Sequence, residues 1–597
     1  MESADGQRGR DTGPRRSPLD VIMNQIRRTR TAADRKLSVR FLSRPSERGG
    51  IPETTEEREE RESSGAGEPG ESEPDAGWGR VSVFLQRLGK RADSRSLGLA
   101  HCDLTATDLL ELASLLHCLP QLEEMDFSWN DLIGGSLRAL TSHLQPVGGV
   151  RTLRLCSCRL NADDLTALGE ALACVPLLEI LDLSWNGGVG GGALQGLLGK
   201  LHPPLRELHL VSCQLTAADA AALGGIVVFL PRLCVLDLSC NSQLTEEPEP
   251  KLEPEPELEP EPEPEPEPVG SGGFGQLASS LSHAASLTTL RLQACGLTPA
   301  SLHALGGSLR HLPSVRELDL SCNRSLSGGL SHLTFHLAHL THLESLDLHL
   351  CCLTHTDLEA LIQVLPSLPE LTQLDVSSNQ EAGGVVHALV SALPLTQMRR
   401  LPLNSCSLTD ESFTALALAV PYLSSVDLSW CKVVGGRLAL LLDALQPSVI
   451  LELRLSSCQL TTDDLHHLAA VCKLGSLSSL RLLDLSYNGG AGESGWAALF
   501  AARGLGSLED LDLSLRPSTS ACGAAWLPSL LCALPRLPAL ARLATRRWTF
   551  GSQAREQLSH SLRKRGVLWE CDPPTSAVTS SSNLTNQDGP EESRPEE

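Results

Sequence analysis

Residues 153–178 read LRLCSCRLNADDLTALGEALACVPLL. The first three residues alternate apolar, charged, apolar, the period of a half-buried strand. Cys156, Ser157 and Cys158 then break the alternation. From Leu165 onward, Leu165, Leu168, Leu172 and Val175 recur at the spacing of one helical face. A short strand, a turn and an amphipathic helix are therefore expected in a single stretch. The next stretch, LDLSWNGGVGGGALQGLL (181–198), has the same order of parts.

The L-x-L element, with conservative apolar replacements, occurs fifteen times between Leu97 and Leu511, and most spacings are 27 or 28 residues. Three spacings depart: 25 from Leu401 to Val426, 30 from Leu453 to Leu483, and 54 from Leu236 to Leu290. One unit of this size cannot bury its own leucine face, so neighbours must stack into a continuous core. The predicted class is an α/β solenoid, a horseshoe with a parallel inner sheet and outer helices. At ~4.8 Å per strand the inner arc would span roughly 65 to 70 Å.

Composition agrees with a repeated small core, since aromatics make up only 3% of the chain. The net charge of -23 is unevenly placed. Residues 1–50 carry a local +6, residues 51–77 a local -8, residues 246–268 a local -10 and the segment from Cys571 onward a local -5. The expected organisation is a disordered tail over 1–79 and an N-terminal cap over 80–96. The solenoid follows over 97–515, interrupted by an acidic Glu-Pro insert at 246–269. A C-terminal cap over 516–570 and a second disordered tail over 571–597 complete the chain. The insert should form an extended, self-repelling loop. No apolar run suits a signal peptide or a membrane span, which predicts a cytoplasmic protein and free thiols.

Five residues after the first leucine, one rung type carries Cys102, Cys158, Cys213, Cys295, Cys351, Cys406 and Cys458. The other carries Asn130, Asn186, Asn241, Asn323, Asn379, Cys431 and Asn488. This alternation resembles the ribonuclease-inhibitor class of leucine-rich repeats. The segments FLQRLGKRA (84–92) and LDLSLRPS (511–518), with the recurring LSWNxxVGG form, are similar to cytoplasmic leucine-rich-repeat-containing proteins. The resemblance covers about residues 80 to 570, and the Glu-Pro insert stands outside it. It implies an interaction protein with no known catalytic site.

The middle residue of each L-x-L should point into the concavity. Arg154 is expected between Asp126 and Asp182 on neighbouring strands, where opposite charges attract by roughly 0.2–1 kcal/mol per pair. The alternation fails at Asp319, Asp347 and Asp375, which predicts an acidic patch for a basic partner surface. Asp427 continues the acidic series. Trp129, Trp185 and Trp430 are candidate binding anchors beside the same face. Cys156 and Cys158 are expected to diverge, Cys156 as an oxidisable concave thiol and Cys158 within the ladder. That divergence argues against a zinc site, which needs converging thiolates. No catalytic constellation, cofactor motif or metal-ligand spacing stands out, and more Asp than Arg on the inner face disfavours nucleic acid. The expected function is a non-enzymatic scaffold that binds a protein partner on the concave face, with no membrane partner. The alternative is an inhibitor of a basic enzyme, by analogy with the ribonuclease inhibitor.

Overall fold

The computed structural model describes residues 83–86, 95–246 and 272–573. The expected tail at 1–79, nearly all of the Glu-Pro insert and the chain beyond 573 lie outside the described residues.

The strands follow one another in chain order, and all inner strands are parallel. Ten of them, from Ser96–Gly98 to Gln373–Asp375, form one sheet. The pairing is in phase throughout, so leucine meets leucine, as in Leu153 opposite Leu181. Helices cover the outside. In the stretch quoted above, the strand is Thr152–Arg154 and the helix Ala162–Ala171. Leu165, Leu168, Leu172 and Val175 are all buried, as their spacing requires. Among the described residues no helix is long and apolar enough to cross a membrane.

The turn after each strand decides how the rungs lock together. The fourth residue after the first leucine sits at positive φ in most rungs, including Trp129, Ser157, Trp185, Trp430 and Tyr487. That conformation costs a side-chain-bearing residue roughly 1–2 kcal/mol. The residue that follows it compensates with hydrogen bonds to the neighbouring rung. Asn186 Oδ1 accepts the amides of Cys158 (2.9 Å) and Leu160 (3.0 Å), while its Nδ2 donates to the carbonyls of Leu155 and Leu183. Asn130, Asn241, Asn323, Asn379 and Asn488 repeat this set. The alternating cysteines complete the ladder: Cys158 Sγ donates to the carbonyl of Phe127 at 3.2 Å. All nineteen cysteines are free thiols.

A second tie lies on the outer side. Asn161 caps the helix Ala162–Ala171, and Asp164 closes a capping box. The same Asp164 carboxylate also accepts the amides of Gly135 and Leu137 from the preceding rung. Asp219 and Asp357 repeat the arrangement, each accepting two amides of the rung before.

Two features differ from the expected single sheet of fifteen rungs. The Leu401 rung contributes no strand. Pro402 occupies its middle position and has no N–H to donate. Only isolated bridges through Arg400 link Gln373 to Ser425. The next ladder position is Cys431 rather than Asn, and it donates to the carbonyls of Leu403 and Cys406. A second, six-stranded sheet begins at Ser425–Asp427. The other difference lies in residues 516–570, expected as a cap, which contribute two more strands to that sheet, Arg542–Ala544 and Leu568–Glu570. Their motifs hide from an L-x-L search because Thr545 and Trp569 stand where leucines are usual; Trp569 Nε1 donates to Thr545 Oγ1. The core here is closed by Trp496, Phe500, Trp526, Trp548 and Phe550, with Trp526 and Trp548 packed edge-on at 4.9 Å. At the other end the described cap residues Phe84 and Leu85 are buried. The insert leaves the turn after Asn241, yet Val235–Asp237 and Thr289–Arg291 still pair in register.

Two outcomes follow. Asn186→Ala strands several buried backbone groups, each worth about 1–3 kcal/mol when unpaired. It should lower the urea midpoint markedly, whereas Cys158→Ala loses only a weak donor and a little volume and should lower it much less. In hydrogen exchange, amides of residues 400–408 should exchange faster than those of the uninterrupted rungs at 373–379 and 452–458.

Candidate protein-binding surface

The residues flanking each buried leucine form the inner face of the sheet. Burial along Thr152–Arg154 runs half-buried, buried, half-buried, and most strands repeat it. Across all inner rungs these flanking positions hold fifteen carboxylates and five arginines, Arg154, Arg291, Arg400, Arg454 and Arg542.

The middle aspartates have a local task. Asp126, Asp182, Asp237, Asp319, Asp347, Asp375, Asp427, Asp484 and Asp512 each accept the backbone N–H two residues on, at 2.9–3.1 Å. One oxygen of each therefore holds the strand end, and the rest of the carboxylate faces the concavity.

The expected pairing of Arg154 with Asp126 and Asp182 is not what forms. Arg154 pairs instead with Glu124, the residue before the first leucine-position residue of the neighbouring rung. Arg291 binds both oxygens of Glu317 at 2.8 and 3.1 Å and lies 3.6 Å from Asp237. Arg454 pairs with Glu452 at 2.7 Å. The geometric reason is reach. A long arginine finds a long glutamate on the same stripe, while the short aspartates stay bent toward their own backbone. Glu124, Glu317 and Glu452 lie outside the middle positions, so the L-x-L pattern carries no signal for them.

Asp319, Asp347 and Asp375 do lie side by side, paired in register on successive strands. Ser321 and Ser377 donate their hydroxyls to Asp319 and Asp375 at 2.6 and 2.5 Å. The equivalent residue beside Asp347 is His349, whose ring bonds to Ser377 instead. Burial, and then the charges of Asp375 and Asp319, push the Asp347 carboxyl up to about 7. The cation nearest the patch comes from the interrupted rung, where Arg400 sits 3.9 Å from Asp375.

The tryptophans are not on the sheet. Because every inner strand is parallel, the turns that follow line one edge, and Trp129, Trp185 and Trp430 occupy that edge at φ 64°, 64° and 66°. Trp129 stacks on His101 of the preceding rung at 5.4 Å. Trp185 is half-buried. Trp430 is 54% exposed and meets Tyr487 at 6.0 Å.

Cys156 is not the surface thiol expected. It is buried, and burial followed by the nearby Asp182 raises its thiol well above the usual range. Cys158 is raised to about 12 by burial. Among the described residues no group of three or more His, Cys, Asp or Glu could hold a metal ion.

Asp347 makes stability depend on pH. Its folded pKa lies above that of a free carboxyl, so between roughly pH 4 and 7 the native chain holds a proton that the unfolded chain has lost. The group favours the fold at acid pH, and that benefit is lost as pH rises through 7. Asp347→Asn keeps the acceptor for the His349 amide and removes the charge. It should raise the urea midpoint at pH 8 and change it little at pH 4.

Comparison with known proteins places the chain in a family. A leucine-rich-repeat family model matches residues 339–361. The ribonuclease inhibitor of Sus scrofa is 30% identical over 448 residues, covering 73% of this chain and 89% of that protein. NACHT, LRR and PYD domains-containing protein 12 of Homo sapiens is 30% identical over 305 residues, covering 50% of this chain and 26% of its own length. Among solved structures, an internalin from Listeria monocytogenes aligns over 84% of this chain and 95% of its own, at 13% identity and a TM-score of 0.34. With its alternating cysteine and asparagine ladder and a match along nearly the whole of the pig protein, the chain belongs to the ribonuclease-inhibitor-like family of leucine-rich-repeat proteins.

Proposed function

We propose that this chain is a non-enzymatic cytoplasmic scaffold whose inner sheet binds a protein partner with a basic surface. The observation that carries the reading is the inner-face charge, fifteen carboxylates against five arginines. Four of those arginines, Arg154, Arg291, Arg454 and Arg542, are already neutralised by carboxylates. The excess acid at Asp319, Asp347 and Asp375 is where a partner's lysines or arginines gain most. There they would relieve a repulsion that the fold maintains as well as form new pairs. The finer resemblance of the 84–92 and 511–518 segments, to leucine-rich repeat-containing protein 31, supports an interaction role of this kind.

A second reading has its own support. The similarity to a ribonuclease inhibitor extends over 89% of that protein, which favours inhibition of a basic enzyme over passive scaffolding. Both readings use the same acidic face and differ in what happens to the partner.

Titration calorimetry with a basic ribonuclease, together with an RNA-cleavage assay, separates them. Binding with loss of cleavage supports the inhibitor, and binding with cleavage intact supports the scaffold. In either case affinity should fall by about tenfold or more between 50 and 300 mM salt, as charge-dominated association does. The triple variant Asp319→Lys, Asp347→Lys, Asp375→Lys should lose a similar factor. A ribonuclease, or any other basic partner, that binds this variant as tightly as the parent chain would remove the acidic face from the proposal.

A further inference from the structure

The edge of the sheet changes character along the array. Near its start the turns carry Asp103 and Asp131, the latter paired with Arg159 at 3.3 Å. Toward its end the corresponding turns hold Trp430 and Lys432, Ser457 and Gln459, then Tyr487 and Arg516. None of these turn residues is acidic.

Four consecutive rungs converge here. Trp430 and Tyr487 sit two rungs apart, yet their rings meet at 6.0 Å across the small Ser457 between them. Arg516, from the fourth rung, donates Nη2 to Ser457 Oγ at 2.5 Å and places its guanidinium carbon 6.0 Å from the Trp430 ring centre. A guanidinium over an indole face is a favourable cation–π arrangement. It holds the cation in place and leaves Trp430 54% exposed. Trp430, Ser457 and Tyr487 share the same turn geometry, each at positive φ.

Arg516 also differs from the arginines of the inner sheet. Arg154, Arg291, Arg454 and Arg542 each form an ion pair with a neighbouring carboxylate. Among the described residues, no carboxylate pairs with Arg516, although it is exposed. A planar cation with spare N–H groups beside an exposed indole and a phenol suits a carboxylate next to an apolar or aromatic side chain.

We propose that Trp430, Tyr487 and Arg516 form a second binding surface, which takes an acidic, aromatic-containing peptide segment of a protein partner. The proposal goes beyond the basic-partner reading of the inner sheet, since the two surfaces have opposite charge preferences. A basic segment is repelled by Arg516 and Lys432. A nucleic-acid strand long enough to track the array would run beside Asp427, Asp484 and Asp512 on the neighbouring inner face. A peptide is small enough to occupy the edge alone. Charge complementarity at contact range selects it even though the whole chain carries -23, because at ~0.15 M salt the Debye length is about 8 Å.

The test is fluorescence anisotropy with the full chain at that ionic strength. The probes are a dye-labelled peptide rich in glutamate and phenylalanine, its lysine-for-glutamate counterpart, and a labelled oligo-uridylate. The acidic peptide should bind saturably. Arg516→Glu and Trp430→Ala should each weaken it by about tenfold or more, a typical loss for a central anchor. Arg516→Lys, which keeps the charge but not the planar fork, should fall between them and the parent. The Asp319/Asp347/Asp375 charge reversal should leave this binding unchanged, so the outcome is independent of the inner-sheet reading. Both substituted side chains are exposed, and unchanged thermal melting will confirm that the variants fold. The proposal is overturned by any of three results: no saturable binding of the acidic peptide, equal binding by Arg516→Glu, or tighter binding of the lysine peptide or the oligonucleotide.

Discussion

The hydrogen bonds at the end of each strand are the constraint on which the rest depends. Most rungs leave the sheet through a tight turn, with at least one side-chain-bearing residue in the left-handed region. That conformation is unfavourable alone, and it exposes backbone amides and carbonyls inside the core. A buried Asn satisfies four such groups at once, two as acceptor and two as donor. The alternate Cys satisfies one more without adding bulk. Because three of the four Asn bonds and the Cys bond run to an adjacent rung, the turn of one rung depends on its neighbour being present. Cooperativity along the array follows from that reciprocity.

The same logic explains where the sheet is interrupted. At the Leu401 rung, proline removes an amide from the ladder and Cys431 replaces the Asn that would have tied the next rung back. The result is a seam between a ten-stranded and a six-stranded sheet. The acidic triplet at Asp319, Asp347 and Asp375 lies just before this seam, and the Trp430, Tyr487 and Arg516 edge lies beyond it. The two surfaces with opposite charge preference are thus separated by the rung that contributes no strand.

Much of the chemistry that looked reactive in the sequence proves to be architectural. Cys156 and Cys158 are buried thiols, and the aspartates of LDLS hold strand ends through the amide two residues on. What remains available for recognition is the outward oxygen of those aspartates, the glutamate–arginine stripe and the edge aromatics. The candidate surface was therefore partly legible. The acidic triplet and Trp430 could be named from spacing alone. Glu124, Glu317 and Arg516 could not, because their importance depends on which long side chain reaches which partner across rungs.

The sequence by itself determined the repeat, the in-phase pairing, the buried ladder and the outer helices, because each is dictated by apolar periodicity within one rung. It determined the end of the array less well, since Thr545 and Trp569 fill leucine positions and only the register of their strands against neighbours identifies them as rung residues. Ion pairing, the edge placement of the tryptophans and the raised carboxyl of Asp347 were decided by the tertiary structure. The Arg154–Glu124 and Arg291–Glu317 pairs and the raised Asp347 carboxyl each involve residues about one rung apart. Stacking sets how near they come, and no local pattern records that distance.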